Sequence, residues 1–424
     1  MRPLQIVLSQ KRTARATTQV THKCAQYHSH RTLWLTIHLY LGLWAGAVLA
    51  LAGITGSILV FWQDIDEWLN AAQLTVTTVA EGQPAYRPLE EIVAAATVAL
   101  PQGVKPLSVE FPHHARGVAT ILAQGPAANP DDGDTLNVFV NPYTAQVTGA
   151  RTFYSASNPL HHCLIGFVFK LHYSLLLWDT GITIVGIVAL FLLIEVLVGV
   201  FLWWPPSGKW RSALTIKRQT SSIRLTYDLH KTAGVYSGLI LLAVLLSGVY
   251  LNLPQQFLWT VQLVSPGTRG DNAMPTSVAL PGSVPISPGR AVEIARERYP
   301  DGRLNWVSFP AKDTGVYLVS FRDVPGLSHF WSERQVYIEQ YSGAILDVRS
   351  PDTRRSAGEA FIDWQWPLHS GQAFGMTGRI LVFLIGVACP ALYITGFIRW
   401  RQKRRAAKFH EARLRQLAHR GSTR

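Results

Sequence analysis

Four apolar runs dominate this sequence, at about Leu33–Trp62, Ile182–Trp204, Thr232–Leu253 and Ile380–Trp400. Each reaches the roughly 20 residues that a helix needs to cross about 30 Å of hydrocarbon. Trp34, Trp62, Trp203, Trp204 and Trp400 stand near the ends of the runs, where interfacial anchors belong. The fold class expected is therefore an α-helical membrane protein with four transmembrane helices.

The basic residues set the expected orientation. The arm up to Arg31 carries six Lys and Arg, the connection Pro205–Lys231 six and the tail from Arg399 ten, so these short segments hold 22 of the 39 basic residues. The connection Gln63–Lys170 holds five, against ten Asp and Glu. By the positive-inside rule both termini and the middle loop are expected in the cytoplasm, and the two long connections outside, in the periplasm of a cell with two membranes. The net charge of +13 is thus read as a topology signal, with no nucleic-acid partner implied. A cleaved signal peptide is not expected: about thirty polar, basic residues precede a first run too long for an h-region. Cys24, Cys163 and Cys389 fall in three different compartments, so no disulfide framework is expected. The expected division is a basic arm (1–32), a first span (33–62), an outer domain (63–170) and a second span (171–204). A cytoplasmic loop (205–229), a third span (230–256), a second outer domain (257–368), a fourth span (369–402) and a basic tail (403–424) complete it.

Histidines recur at matching places in the two halves. Gly42, Gly46 and Gly56 follow His38 at the offsets, four, eight and eighteen, at which Gly234, Gly238 and Gly248 follow His230. Thr180, Gly181, Gly199 and Trp203 follow His172 as Thr377, Gly378, Gly396 and Trp400 follow His369. The segment VFVNPYTAQVTGAR from Val138 returns as VYIEQYSGAILDVR from Val336, 198 residues on. Each half reads as span, outer domain, span, a parallel repeat. The outer segments open with helical patterns at Leu89–Leu100 and Pro288–Tyr299. Alternating runs follow, among them Val316–Phe321 and Val336–Ile338, closed by turns at Asn141–Thr144 and Tyr341–Gly343. Each is expected to be a small α+β unit of one helix on a short antiparallel sheet. Asn129–Asp134 reads as a hairpin tip; its spacing does not match an EF-hand calcium loop.

Helix followed by strands and an aromatic–Thr/Ser–Gly-like turn resembles a PepSY domain. The spans resemble the PepSY-associated transmembrane helix family, in His38-Leu-Tyr-Leu-Gly42, Thr55-Gly56, Asp228-Leu-His230-Lys-Thr-Ala-Gly234 and Leu368-His369-Ser-Gly371. The resemblance covers about residues 30–402 and departs from the family at Ala145, where Gly usually closes the turn. It implies an iron-regulated protein of the bacterial inner membrane, similar to ferric-siderophore reductases that carry b-type haem.

The histidines point independently to haem. Polar side chains at membrane spans mark function, and haem iron takes neutral imidazoles from facing helices as axial ligands. By topology His38 pairs with His230 for an inner haem and His172 with His369 for an outer one, two haem b in all. Zinc is the competing reading, although two histidines leave a tetrahedral site short of ligands. Glycines at four and eight residues after His38 and His230 give room for a flat macrocycle or a closely packed helix. One difficulty is length: a straight helix from His172 to Trp204 would run about 48 Å at roughly 1.5 Å per residue. A bend near Gly181 and Gly378 would let Lys170–Thr180 and His369–Thr377 lie back along the interface.

Lesser candidates are His161, which can contact or replace His172, and Glu195, a carboxylate for a quinone or proton path or for a bond to a neighbouring helix. Arg224, Tyr227 and Arg399 can hold propionates or snorkel at the interface, and His113 and His114 read as solvated. The function expected is a haem-dependent oxidoreductase that carries electrons across the membrane to a ferric siderophore outside. Its cytoplasmic segments of about 30, 27 and 25 residues are too short for a flavin or nicotinamide domain, and no Gly-x-Gly-x-x-Gly follows a strand. Electrons would come from a membrane quinol or a soluble reductase, with membrane lipid as the other partner. The rival readings are an iron or siderophore permease and a membrane-anchored PepSY sensor or protease-inhibitor module.

Overall fold

The computed structural model describes residues 3–76, 86–125, 133–155, 158, 163–205, 208–217, 219–269, 274–279, 282–326, 328, 330–354 and 356–422, with side chains from residue 31 to 413 and at 415–417. His161 and most of the 129–134 tip lie outside the described residues, as does the side chain of Cys24. In chain order the elements are α1 (Pro3–Val60), α2 (Trp62–Leu69), α3 (Ala71–Leu74), α4 (Leu89–Ala99), β1 (Pro106–Glu110), β2 (Ala119–Gln124), β3 (Thr135–Val140) and β4 (Val147–Tyr154). Next come α5 (Leu164–Ser174), α6 (Trp178–Trp203), α7 (Trp210–Leu214), α8 (Ser222–Asn252), α9 (Pro254–Val264) and α10 (Pro288–Arg298). Then follow β5 (Arg303–Ser308), β6 (Val316–Arg322), β7 (Glu333–Glu339), β8 (Ile345–Arg349), α11 (Ala357–Asp363), α12 (Gln365–His369), a 3₁₀ turn (Gln372–Phe374) and α13 (Gly375–Ser422).

Four helices are long and apolar enough to cross a membrane, over Arg31–Val60, Trp178–Trp203, Ser222–Asn252 and Gln372–Leu417. Trp44, Leu190, Leu197, Leu239 and Leu384 stay exposed on them. Lipid accepts such side chains, because burying them between helices gains nothing over hydrocarbon. The chain is a multi-pass helical membrane protein. Its span boundaries differ from expectation in one respect that matters: the second span starts at Trp178, and His172 belongs to the separate helix α5. The fourth helix likewise starts after His369.

The chain forms two compact units, one of Met1–Ile54, Ile187–Leu245 and Ile385–Arg424, the other of Thr55–Gly186 and Leu246–Leu384. The described regular structure of the first is all helix. The second contains all the described strands. Both expected α+β units are present there, α4 with β1–β4 and α10 with β5–β8, and their eight strands join in one antiparallel sheet in the order β4-β3-β2-β1-β5-β6-β7-β8. The seam is β1 against β5, with Ser108, Val109 and Glu110 opposite Ser308, Val307 and Trp306. Pairing removes two edges that would otherwise stand open to other chains.

Side chains that alternate along the strands build the core. Ala119, Ile121 and Ala123 of β2 point inward, as do Val319 and Phe321 of β6 and Val336 and Ile338 of β7, all fully buried. The helices bring the matching stripes: Leu89, Ile92 and Ala96 from α4, and Ala291 and Ala295 from α10. Each fully buried Val, Ile or Phe contributes about 1.5–3 kcal/mol. Ser287 caps α10 by accepting from Arg290 N, and Glu90 of α4 accepts from Gly289 N at 2.8 Å, which ties the two helices together. The helices expected at Leu89 and Pro288 are both present. Ala145 adopts the left-handed conformation (φ 57°) that Gly343 takes at the corresponding turn (φ 72°), so the turn survives the substitution.

Candidate functional site

In the helical unit, α1 presents His38 and α8 presents His230, and their ring centroids are 6.3 Å apart with planes at 74°. In the other unit His172, near the end of α5, faces His369, the last residue of α12, at 6.1 Å and 65°. The structure therefore brings together both pairs that topology suggested. Two imidazoles bonded to one metal at about 2.0–2.1 Å per bond would set their centroids roughly 6 Å apart. Edge-to-face aromatic packing also falls at 4.5–7 Å, so spacing alone does not separate a ligand pair from a packed one.

Each ring is also contacted at Nδ1. Thr55 Oγ1 lies 3.0 Å from His172 Nδ1, and Ser247 Oγ lies 3.0 Å from His369 Nδ1. His230 Nδ1 is 2.9 Å from Thr395 Oγ1 and 3.1 Å from the Leu392 carbonyl. Glu195 Oε1 approaches His38 Nδ1 to 2.9 Å, at an angle off the line of a well-directed hydrogen bond. Metal-bound histidines are commonly held at Nδ1 in this way. Two histidines at each pair fall short of a zinc tetrahedron. Among the described residues no three His, Cys, Asp or Glu side chains group as a metal site.

Glycines cradle the same four rings. A Cβ at Gly199 would stand 3.1 Å from His38 Cε1, one at Gly396 3.4 Å from that of His230, one at Gly56 3.0 Å from that of His172, and one at Gly248 3.5 Å from that of His369. The Thr55-Gly56 motif thus has a job: the hydroxyl holds the ring and the glycine lets it close. Of the glycines expected to make room after the inner histidines, Gly42 faces Glu195, Gly46 faces Tyr393 at 3.2 Å, Gly234 faces Leu392 at 3.7 Å and Gly238 faces open space.

The expected bend exists, a few residues ahead of where it was placed. Leu175, Leu176 and Trp178 all have positive φ, at 52°, 60° and 57°. Such a conformation costs an L-residue about 1–2 kcal/mol. In the second half Gly371 and Gly375 take the turn at 78° and 58° without that penalty. A side chain at Gly181 would overlap the Ser174 carbonyl, and one at Gly378 the Gly371 carbonyl. The two fold-backs are built alike. Asn252 Nδ2 donates to the Tyr173 and Ile182 carbonyls at 2.8 and 2.9 Å, bridging the break between α5 and α6. Asn252 is a site residue that sequence reading missed.

A cavity of about 800 Å³ adjoins the outer pair, lined by Phe169, Lys170 and Tyr173 of α5 and by Gln372, Gly375, Met376 and Arg379, just after His369. Trp62, Trp306 and Trp331 supply aromatic wall. Its charges are largely paired: Arg379 with Asp64 at 2.7 Å, Arg303 with Asp323 at 3.2 Å, and Arg151 with Asp66. His113 and His114 line this cavity; His114 stays exposed, as expected, while His113 is half-buried. His113 Nδ1 is 2.7 Å from Arg322 Nη1, and its Nε2 approaches Gln63 and Glu110, while His114 Nε2 is 2.9 Å from Glu67. Burial pulls the Arg322 guanidinium below its usual range, against the opposing pull of Glu333 and Glu110.

Near His230 the fully buried Asp228 accepts from Arg224 Nε and Lys231 Nζ, each at 3.1 Å, and from Lys217 N. The guanidinium groups of Arg224 and Arg399 lie 5.5 and 5.3 Å from the centre of the Tyr227 ring. Arg224 is thus committed to Asp228. Glu195 follows the neighbouring-helix reading by reaching His38 on α1.

Comparison with known families matches residues 35–403 to the PepSY-associated TM region. No curated protein matches the chain. The chain belongs to the PepSY-associated TM region family.

Proposed function

From that membership and the two histidine pairs, we propose that the protein is a transmembrane electron-transfer protein holding two b-type haems. His38 and His230 would hold one, His172 and His369 the other. It reduces chelated ferric iron, a ferric siderophore, on the outer side of a bacterial inner membrane, with both termini in the cytoplasm. Each pair takes one histidine from each half of a duplicated span–domain–span unit. The observation that carries the reading is the set of four imidazoles, facing in pairs at 6.3 and 6.1 Å, each with a partner at Nδ1 and a glycine against Cε1.

When bound, haem iron supplies a one-electron couple. The chain's own residues do the rest. The histidines present Nε2, and Thr55, Ser247, Thr395 and Glu195 hold the rings in orientation. The glycines let the rings approach the opposite helix. Residues next in sequence to His172 and His369 also wall the cavity, where the acceptor would bind. Paired charges and aromatic walls suit a chelate of low net charge better than a highly charged anion. One electron converts Fe³⁺ to Fe²⁺, which hard oxygen donors hold less firmly, so the metal leaves. No acid or base is required of the protein. The electron comes from a membrane quinol or a separate soluble reductase.

The test is an absorption spectrum of the purified protein. A b-type Soret band that shifts with dithionite, two haems per chain, and reoxidation on adding a ferric hydroxamate with ferrous iron trapped by a colour-forming chelator are expected. Colourless protein after expression with haem supply would overturn the proposal.

A further inference from the structure

We infer that Glu195 gives the inner haem the lower potential of the two and so makes electron flow toward the outer site downhill; this rests on the di-haem reading above. Glu195 is buried in the helical unit, with Oε1 2.9 Å from His38 Nδ1 and no well-directed partner for Oε2 among the described residues. The chain is shaped to admit it. A Cβ at Gly42 would stand 2.8 Å from Oε1, so α1 keeps a glycine where the carboxylate rests.

The second half solves the same problem differently. The counterparts of Glu195 and Val198, 197 residues on, are Leu392 and Thr395. There the Thr395 hydroxyl and the Leu392 carbonyl hold His230. At the outer pair the hydroxyls of Thr55 and Ser247 lie at the same ring nitrogen. Val198 offers no hydroxyl, and a carboxylate takes its place at His38.

That exchange has an electrical consequence. A carboxylate lying beside Nδ1 makes the ligating imidazole a stronger donor. Its negative charge, little screened inside a bundle, favours the more positive, oxidised state of a metal on the far side of the ring. The surroundings of an axial ligand are a lever by which a protein sets haem potential. The charge at Glu195 acts here to lower the potential of the His38–His230 site. Glu195 is a positioning residue, since it acts through His38.

The experiment is a spectroelectrochemical titration of the full, haem-loaded chain, with the inner haem assigned by its loss in His38→Ala. Glu195→Gln keeps the shape and removes the charge. It should raise the lower midpoint enough to shift electron sharing between the two haems about tenfold, or about 59 mV for one electron, and leave the upper midpoint in place. The double variant Glu195→Leu with Val198→Thr rebuilds the arrangement at His230. It should keep both haems and show the same rise. A lower midpoint unmoved in a variant that retains both haems, or two midpoints that move together, overturns the inference alone. A wild-type chain that takes up no haem overturns the di-haem reading, and the inference with it.

Discussion

The inner and outer histidine pairs share a geometry and differ in construction. At the inner pair both rings sit on long helices, α1 and α8, and their Nδ1 partners come from α6 and α13. At the outer pair both rings sit on short helices that end in sharp turns, and the partners, Thr55 and Ser247, come from α1 and α8. The roles of helix and partner are exchanged. What is common to both pairs is the ring spacing, a contact at Nδ1 and a glycine at Cε1; what varies is the chemistry of the contact. This teaches that the spacing of the rings is held narrowly while the group that contacts each ring is free to differ.

The comparison breaks most visibly if a ligand is removed. His38→Ala or His230→Ala should take haem content from two to one per chain, measured by pyridine haemochrome, and leave the outer spectrum intact; His172→Ala or His369→Ala should do the reverse. Loss of both haems from a single inner substitution would mean that the pairs are not independent. A smaller effect is expected at the outer turn alone. Asn252→Ala leaves two backbone carbonyls without their side-chain donor, at a cost of about 1–3 kcal/mol. Thermal release should then affect the outer haem several degrees earlier, with the inner one unchanged. The smallest effect lies farthest from either pair. Ala145→Gly relieves a positive φ that costs about 1–2 kcal/mol, less the entropy glycine adds to the unfolded chain, so the sheet unit should gain up to about 1 kcal/mol in chemical denaturation. Both haem spectra should stay as they are.

Much of this was legible in the sequence because periodicity and spacing report local physics directly. The apolar runs mark the spans, and the patterns at Leu89 and Pro288 mark helices that form as α4 and α10. The expected membrane level of each histidine suggested which rings meet, His38 with His230 and His172 with His369. Other features depend on contacts that no local pattern reveals. Asn252 matters because it reaches two carbonyls at a break about seventy residues away in sequence, and polar residues at helix ends are common. His113 looked solvated because Arg322, which engages it, lies on a distant segment. Asp228 stood inside a quoted motif, yet its part in gathering Arg224 and Lys231 appears only once α8 is folded. The single sheet was hidden for a related reason: one strand's pattern shows which face is buried, but not which edge will be covered.

That seam has a consequence of its own. Val109 of β1 sits opposite Val307 of β5, and the two positions are 198 residues apart, the spacing of the repeated VFVNPYTAQVTGAR and VYIEQYSGAILDVR segments. A strand that runs antiparallel to its own counterpart about a shared centre is self-complementary, as the two faces of a symmetric dimer are. A half-length polypeptide would carry that edge bare, and a second copy of itself would be the surface that fits it. Joining the halves through the 205–229 connection turns such a meeting of two molecules into a closure within one, governed by an effective concentration in place of the amount of protein in the membrane.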